Sequence, residues 1–167
     1  MNDTYVEVMV ARKKNPLLGV GKMLLYALVV VCVLMALFGS AVYFVGAIVF
    51  AVVAYFVLPN FDLEFEYLYI DKEISIDKIM SKEKRKHAFT VDLNKMEIMA
   101  PSGSHELDSY KARNAKVYDF TSREEDAKVY SIAYAADGEG IVLVNLEPNA
   151  EMLKAIKSVF PRKVLDF

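Results

Sequence analysis

Residues 23–58, MLLYALVVVCVLMALFGSAVYFVGAIVFAVVAYFVL, contain no Asp, Glu, Lys, Arg or His, so no ionised side chain holds this stretch in water. A single helix over its whole length would exceed ~50 Å, against a bilayer hydrocarbon core of about 30 Å. One crossing is too few. Gly39-Ser40, a poor helix former beside a turn former, lies near the middle, and the stretch reads as a hairpin of two spans. The spans are 17–38, with Lys22 snorkelling to the interface, and 41–58, ended by Pro59. Buried helices of a soluble protein usually keep some polar residues on one face. A cleaved signal peptide has a short apolar core and a small-residue cleavage site. Neither describes this run. Gly39 and Gly46, seven apart, are a weak sign of close helix packing. Cys32 is the single cysteine, which excludes an intrachain disulfide and a cysteine metal cluster.

The 167-residue chain leaves one small domain, 61–167, after the apolar stretch. The net charge of −2 divides unevenly, because Arg12, Lys13, Lys14 and Lys22 outnumber Asp3 and Glu7 before and at the start of the first span, which leaves −4 for the rest. General nucleic-acid binding rests on clustered Lys and Arg and is set aside for an acidic domain. The same four basic residues serve as membrane-interface anchors, whereas the Gly39-Ser40 turn is uncharged, so the positive-inside rule places the N-terminus in the cytoplasm. Two spans return the chain to that side, making a two-span protein of the cell membrane with both termini cytoplasmic. The juxtamembrane segment 1–16 has Tyr5, Val6, Met9 and Val10 at helical spacing and reads as a short interfacial helix, or else as a disordered tail, stopped at Asn15-Pro16.

From residue 61 the period changes to two, with Phe61, Leu63, Phe65, Tyr67 and Tyr69 on one face and Asp62, Glu64 and Glu66 on the other, solvated one. Further strands are expected at 74–79, 88–93, 96–100, 116–121, 128–136 and 140–146. Asp71-Lys72-Glu73, Asn94-Lys95 and Asp137-Gly138 act as turns, and a long irregular connection starts at Pro101. Asn149 caps a final helix whose apolar face is Met152, Leu153, Ile156, Val159 and Phe160.

The stretches FEYLYIDKEISIDKI, KRKHAFTVDLNKMEIMAP and EMLKAIKSVF, in this order after a two-span hairpin, resemble bacterial PH-like membrane proteins of the pleckstrin-homology superfold. The resemblance implies a membrane-anchored α+β chain: an N-terminal transmembrane helical hairpin, then a PH-like seven-stranded antiparallel β-barrel capped by a C-terminal helix. It also implies a non-enzymatic binding or scaffolding module, and it transfers no site residues.

Few residues offer chemistry. His87 and His105 lack cysteine or carboxylate partners at metal-ligand spacing and read as exposed loop histidines, so no metal or cofactor is expected. Ser102, Ser104, His105 and Asp108 hold the ingredients of a nucleophilic triad, but one loop has no second element to fix them. An enzyme is therefore the third reading. The expected partners are the lipid bilayer and either another protein or a second copy of the chain, for which the tyrosines Tyr67, Tyr69, Tyr110, Tyr118, Tyr130 and Tyr134 offer a sheet-edge patch. The alternative is anionic-lipid sensing through a basic loop, Lys82, Lys84, Arg85 and Lys86, offset only by Glu83. The charge of −4 on the remainder opposes that alternative.

Overall fold

A computed structural model describes residues 5–13, 16–39, 41–57 and 63–166. The expected roles of Asn2, Asp3, Lys14, Asn15, Ser40, Pro59, Phe61 and Asp62 lie outside these residues. The chain forms two compact units that do not follow its linear order. One comprises Met1–Arg12, Glu64–Ile79 and Arg85–Phe167; the other comprises Lys13–Leu63 and Met80–Lys84.

The first unit contains the strands. The segment expected as an interfacial helix is strand β1, Val6–Ala11. It pairs antiparallel with β2, Leu63–Ile70, in a register running from Val6 opposite Tyr69 to Ala11 opposite Glu64. The physical reason is its period. Val6, Val8 and Val10 are β-branched and alternate with Glu7, Met9 and Ala11, which suits a pleated strand with one face inward. Val6 and Val10 are buried, while Glu7 and Met9 point out. With β3 (Glu73–Met80) and β4 (Lys84–Asp92) these make a four-stranded sheet of order β1-β2-β3-β4.

The second sheet has the order β5-β7-β8-β6, formed by β5 (Met96–Pro101), β6 (Lys116–Asp119), β7 (Tyr130–Ala136) and β8 (Gly140–Leu146). The expected seven-stranded antiparallel barrel is corrected on three points. Among the described residues there are eight strands, they lie in two sheets with no closed barrel, and β6 runs parallel to β8. A parallel neighbour needs a longer crossover than a hairpin turn, and residues 120–129 plus β7 supply it. Residues 105–112, expected as irregular, form a 3-10 turn, His105–Leu107, and a short helix α3, Asp108–Ala112.

The core is built from Phe65, Tyr67, Ile74, Ile76, Leu93, Met96, Met99, Ile132, Leu146, Met152 and Ile156, all essentially inaccessible to water. The last two belong to helix α4, Ala150–Val159, whose N-terminus is capped by the Asn149 side chain accepting from the Met152 N–H at 2.7 Å. Leu153 and Phe160 are half-buried and Val159 is exposed, so the inward stripe is narrower than expected. The C-terminal tail then lies along β5, with Leu165 N–H donating to the Met99 carbonyl at 2.8 Å and Met99 N–H donating to the Lys163 carbonyl at 2.7 Å. An otherwise open sheet edge is thereby covered.

Most of the expected tyrosine patch belongs to this core. Tyr67, Tyr69, Tyr130 and Tyr134 are buried, because bulky aromatic rings at inward positions fill the space between the sheets. The Tyr67 hydroxyl donates to the Phe120 carbonyl at 2.5 Å, and burial pushes this phenol far above its ordinary pKa. Tyr67→Phe keeps the ring but strands that carbonyl. The expected loss is about 1–2 kcal/mol, read as a lower urea midpoint at unchanged m-value.

The second unit contains α1, Pro16–Leu37, and α2, Ala41–Val57. Between them Gly39 adopts φ +129°, a backbone region that side chains disfavour, where the turn is expected. The helices pack antiparallel along small residues. Ala47 and Ala54 are buried, and a Cβ added to Gly46 would stand 3.9 Å from the Cys32 sulfur. The outward apolar surface is large: Leu17, Met23, Leu37, Phe38 and Val42 are all at least three-quarters exposed. In α1, Gly19–Leu37 is long and apolar enough to cross a membrane, and no part of its most apolar window is buried. A core helix of a soluble protein would be. The apolar part of α2, Val42–Phe56, is shorter.

Candidate functional site

Four positions were expected to form a basic loop, and the structure separates them. Lys84, Arg85 and Lys86 are the first residues of β4, not loop residues, and only Lys82 lies in the turn. Ser81 and Lys82 occupy this turn with φ of 52° and 59°, closed by Glu83 N–H donating to the Met80 carbonyl at 3.2 Å. Two consecutive positive φ values suit the twist of a two-residue hairpin. Neither residue is glycine, asparagine or aspartate, so each carries local strain on the order of 1–2 kcal/mol.

Strand alternation sends the charges to different tasks. Arg85 pairs with Glu66 and, at 3.2 Å, with Asp77. Glu66 was expected on a solvated face but is only 6 % exposed, covered by its guanidinium partner. On the same strand pair, His87 Nδ1 stands 3.0 Å from Asp77 and its Nε2 stands 3.0 Å from the Thr90 hydroxyl. His87 is therefore a strand residue in a polar network, although its side chain stays 57 % exposed. Lys86 is exposed.

Lys84 goes elsewhere. Its ammonium lies 4.9 Å above the Tyr55 ring and 3.5 Å from the Tyr55 hydroxyl, on α2. Here the turn and the two helices border an open cavity of about 540 Å³, lined by Lys22, Tyr26 and Val29 of α1, Ala51, Ala54 and Tyr55 of α2, and Met80, Ser81, Glu83 and Lys84. Among the described residues Lys22 makes no ion pair. The charged lining is Lys22 and Lys84 against Glu83. The lining mixes apolar and polar side chains, and both tyrosines have one apolar and one polar end. Sequence reading found Lys22 and Lys84 separately but missed Tyr26 and Tyr55. The available signal was their position near the charged ends of apolar helices, where aromatic belts occur.

Of the other expected interface anchors, Arg12 is committed within the sheet unit. Its guanidinium lies 3.3 Å from Asp119 and 5.6 Å from the centre of the Phe65 ring. Asp119 also receives Arg123 at 2.8 Å and the Thr121 hydroxyl at 2.6 Å. Burial pushes the Asp119 carboxyl up, but the Thr121 and Arg123 hydrogen bonds outweigh it and leave the pKa below its ordinary value. Lys13 is exposed at the start of the helical unit.

The triad ingredients do not assemble. His105 pairs with Asp108 at 3.1 Å in full exposure, Ser104 accepts from the Glu106 N–H at 3.4 Å, and Ser102 offers its carbonyl to Lys111 at 2.7 Å. Among the described residues no three His, Cys, Asp or Glu side chains are grouped to hold a metal ion.

Two sheets over one core, completed by a C-terminal helix, define a PH-like α+β domain. A family model described as a bacterial PH-like domain matches residues 2–166, and the chain belongs to that family, for which no function is established. The matched range spans β1 and both apolar helices. No curated protein and no solved structure matches the chain.

Proposed function

We propose that this is a two-span protein of the cell membrane whose PH-like domain serves, without catalysis, as a cytoplasmic module for binding a protein partner or a second copy of itself. One observation carries the reading. The α1–α2 hairpin is inserted between β1 and β2, which are adjacent antiparallel strands of one sheet. The connections, 12–15 and 58–62, are short, and a chain reaches at most ~3.6 Å per residue. Strands that share a ladder lie on one side of a bilayer, so the number of crossings between them is even. One crossing by α1 requires a return, and the 17 residues of α2, at ~1.5 Å per residue, lie at the short limit for providing it. The cationic Lys13 and Lys22 against an uncharged turn support a cytoplasmic domain.

The outward face of the first sheet offers partner surface, with Met9 55 % and Ile70 41 % exposed beside Glu7. Single cysteines test the topology in a Cys32→Ser background. In intact cells a membrane-impermeant maleimide is expected to label Phe38→Cys and to spare Lys13→Cys and Lys154→Cys until lysis. Labelling of Lys13 and Lys154 on opposite sides, or release of the chain from membranes at alkaline pH, overturns the reading.

A further inference from the structure

We propose that the cavity formed by α1, α2 and the β3–β4 turn is a site for one anionic phospholipid, with Lys22 and Lys84 on its phosphate and its upper acyl chain against Val29 and Ala51. The proposal rests on α1 and α2 being membrane spans. It moves the lipid contact from the basic run as a whole to a defined place that includes two helices.

Four features select this ligand. Among the described residues Lys22 makes no ion pair and Lys84 engages a neutral ring and hydroxyl, leaving a net positive charge that Glu83 does not cancel. That balance favours an anion over a zwitterion. The lining also includes Val29, Ala51 and Ala54, on two helices that are apolar apart from Lys22, so an occupant needs an apolar end as well. Tyr26 and Tyr55 are amphipathic side chains of the kind that sit at head-group depth. The volume, about 540 Å³, falls in the range of small-molecule sites and far exceeds a bare phosphate.

The small side chains of Ala51 and Ala54 create the space, which gives a steric test independent of charge. The full-length protein in neutral detergent is titrated with short-chain phosphatidylglycerol, phosphatidylcholine and soluble glycerol 3-phosphate, with bound lipid read by native mass spectrometry. Phosphatidylglycerol is expected to bind at least tenfold more tightly than phosphatidylcholine. Lys22→Gln and Lys84→Gln should each weaken phosphatidylglycerol about fivefold while leaving phosphatidylcholine unchanged. Ala51→Leu should weaken both lipids, whereas Lys86→Gln, the same charge change outside the cavity, should stay within twofold. Equal affinity for the two lipids, an equal loss in Lys86→Gln, or displacement of the lipid by equimolar glycerol phosphate would overturn the proposal. These failures occur in a protein that still stays with membranes at alkaline pH, which separates them from failure of the two-span reading.

Discussion

A fragment comprising residues 61–167 is expected to be about 3–5 kcal/mol less stable than a chain that keeps β1 and replaces residues 12–62 with a two- to five-residue glycine-serine loop. The fragment contains the whole domain as linear order suggests it, but it lacks the strand that completes the first sheet. Val6 and Val10 lose their burial, at roughly 1.5–3 kcal/mol for each fully buried aliphatic side chain. The ladder from Val6–Tyr69 to Ala11–Glu64 disappears with them. Against a total domain stability of about 5–15 kcal/mol, that loss is large. It also bares the edge of β2, where Phe65, Tyr67 and Tyr69 sit behind unpaired backbone groups, so the fragment should self-associate. The bridged chain should instead be monomeric and soluble, since β1 and β2 become an ordinary hairpin. Urea denaturation and size-exclusion chromatography of the two proteins decide it. Equal midpoints and equal elution would show that β1 contributes nothing to the core.

The reason this strand was missed explains how much the sequence discloses. Val6-Glu7-Val8-Met9-Val10-Ala11 carries both a period-two pattern and, through Tyr5, Val6, Met9 and Val10, a helical one. Over six residues both templates fit, and only the partner strand, over fifty residues away across the apolar insertion, decides between them. The other strands were legible where alternation was bounded by local turn chemistry, as at Asp137-Gly138, where the glycine adopts φ +81°, whereas the first half of β4, 84–87, reads as a charged loop. The end of α1 and the start of α2 were legible for the same reason at Gly39. Sheet order was not legible, since β6 pairs parallel with β8 past an intervening strand, and alternation carries no information about neighbours. The site was half legible. Lys22 and Lys84 stand out as charges, but their meeting depends on tertiary structure that no spacing encodes.

Glu66 and Arg85 show the same limit in energetic form, and here a second large effect is expected. Arg85→Met should destabilise the domain by about 2–3 kcal/mol, because it strands a carboxylate that is 6 % exposed. Removing one partner of a buried ion pair costs about 3–5 kcal/mol. The lower figure applies because the Arg85 side chain is itself 56 % exposed and admits water on its departure. The double variant Glu66→Met/Arg85→Met should recover most of the loss, since two apolar side chains of similar volume need no charge partner. pH supplies an independent check on Arg85→Met. A stranded carboxylate favours its neutral form in the folded state, so the fold binds this proton more readily than the unfolded chain does. The stability deficit is then full near neutrality and shrinks as acid protonates Glu66. The deficit is measured as the difference from the native chain in urea midpoints between pH 7 and pH 4. A deficit that stays constant over this interval, or a double variant as unstable as Arg85→Met, would mean that Arg85 acts through packing and not through its charge.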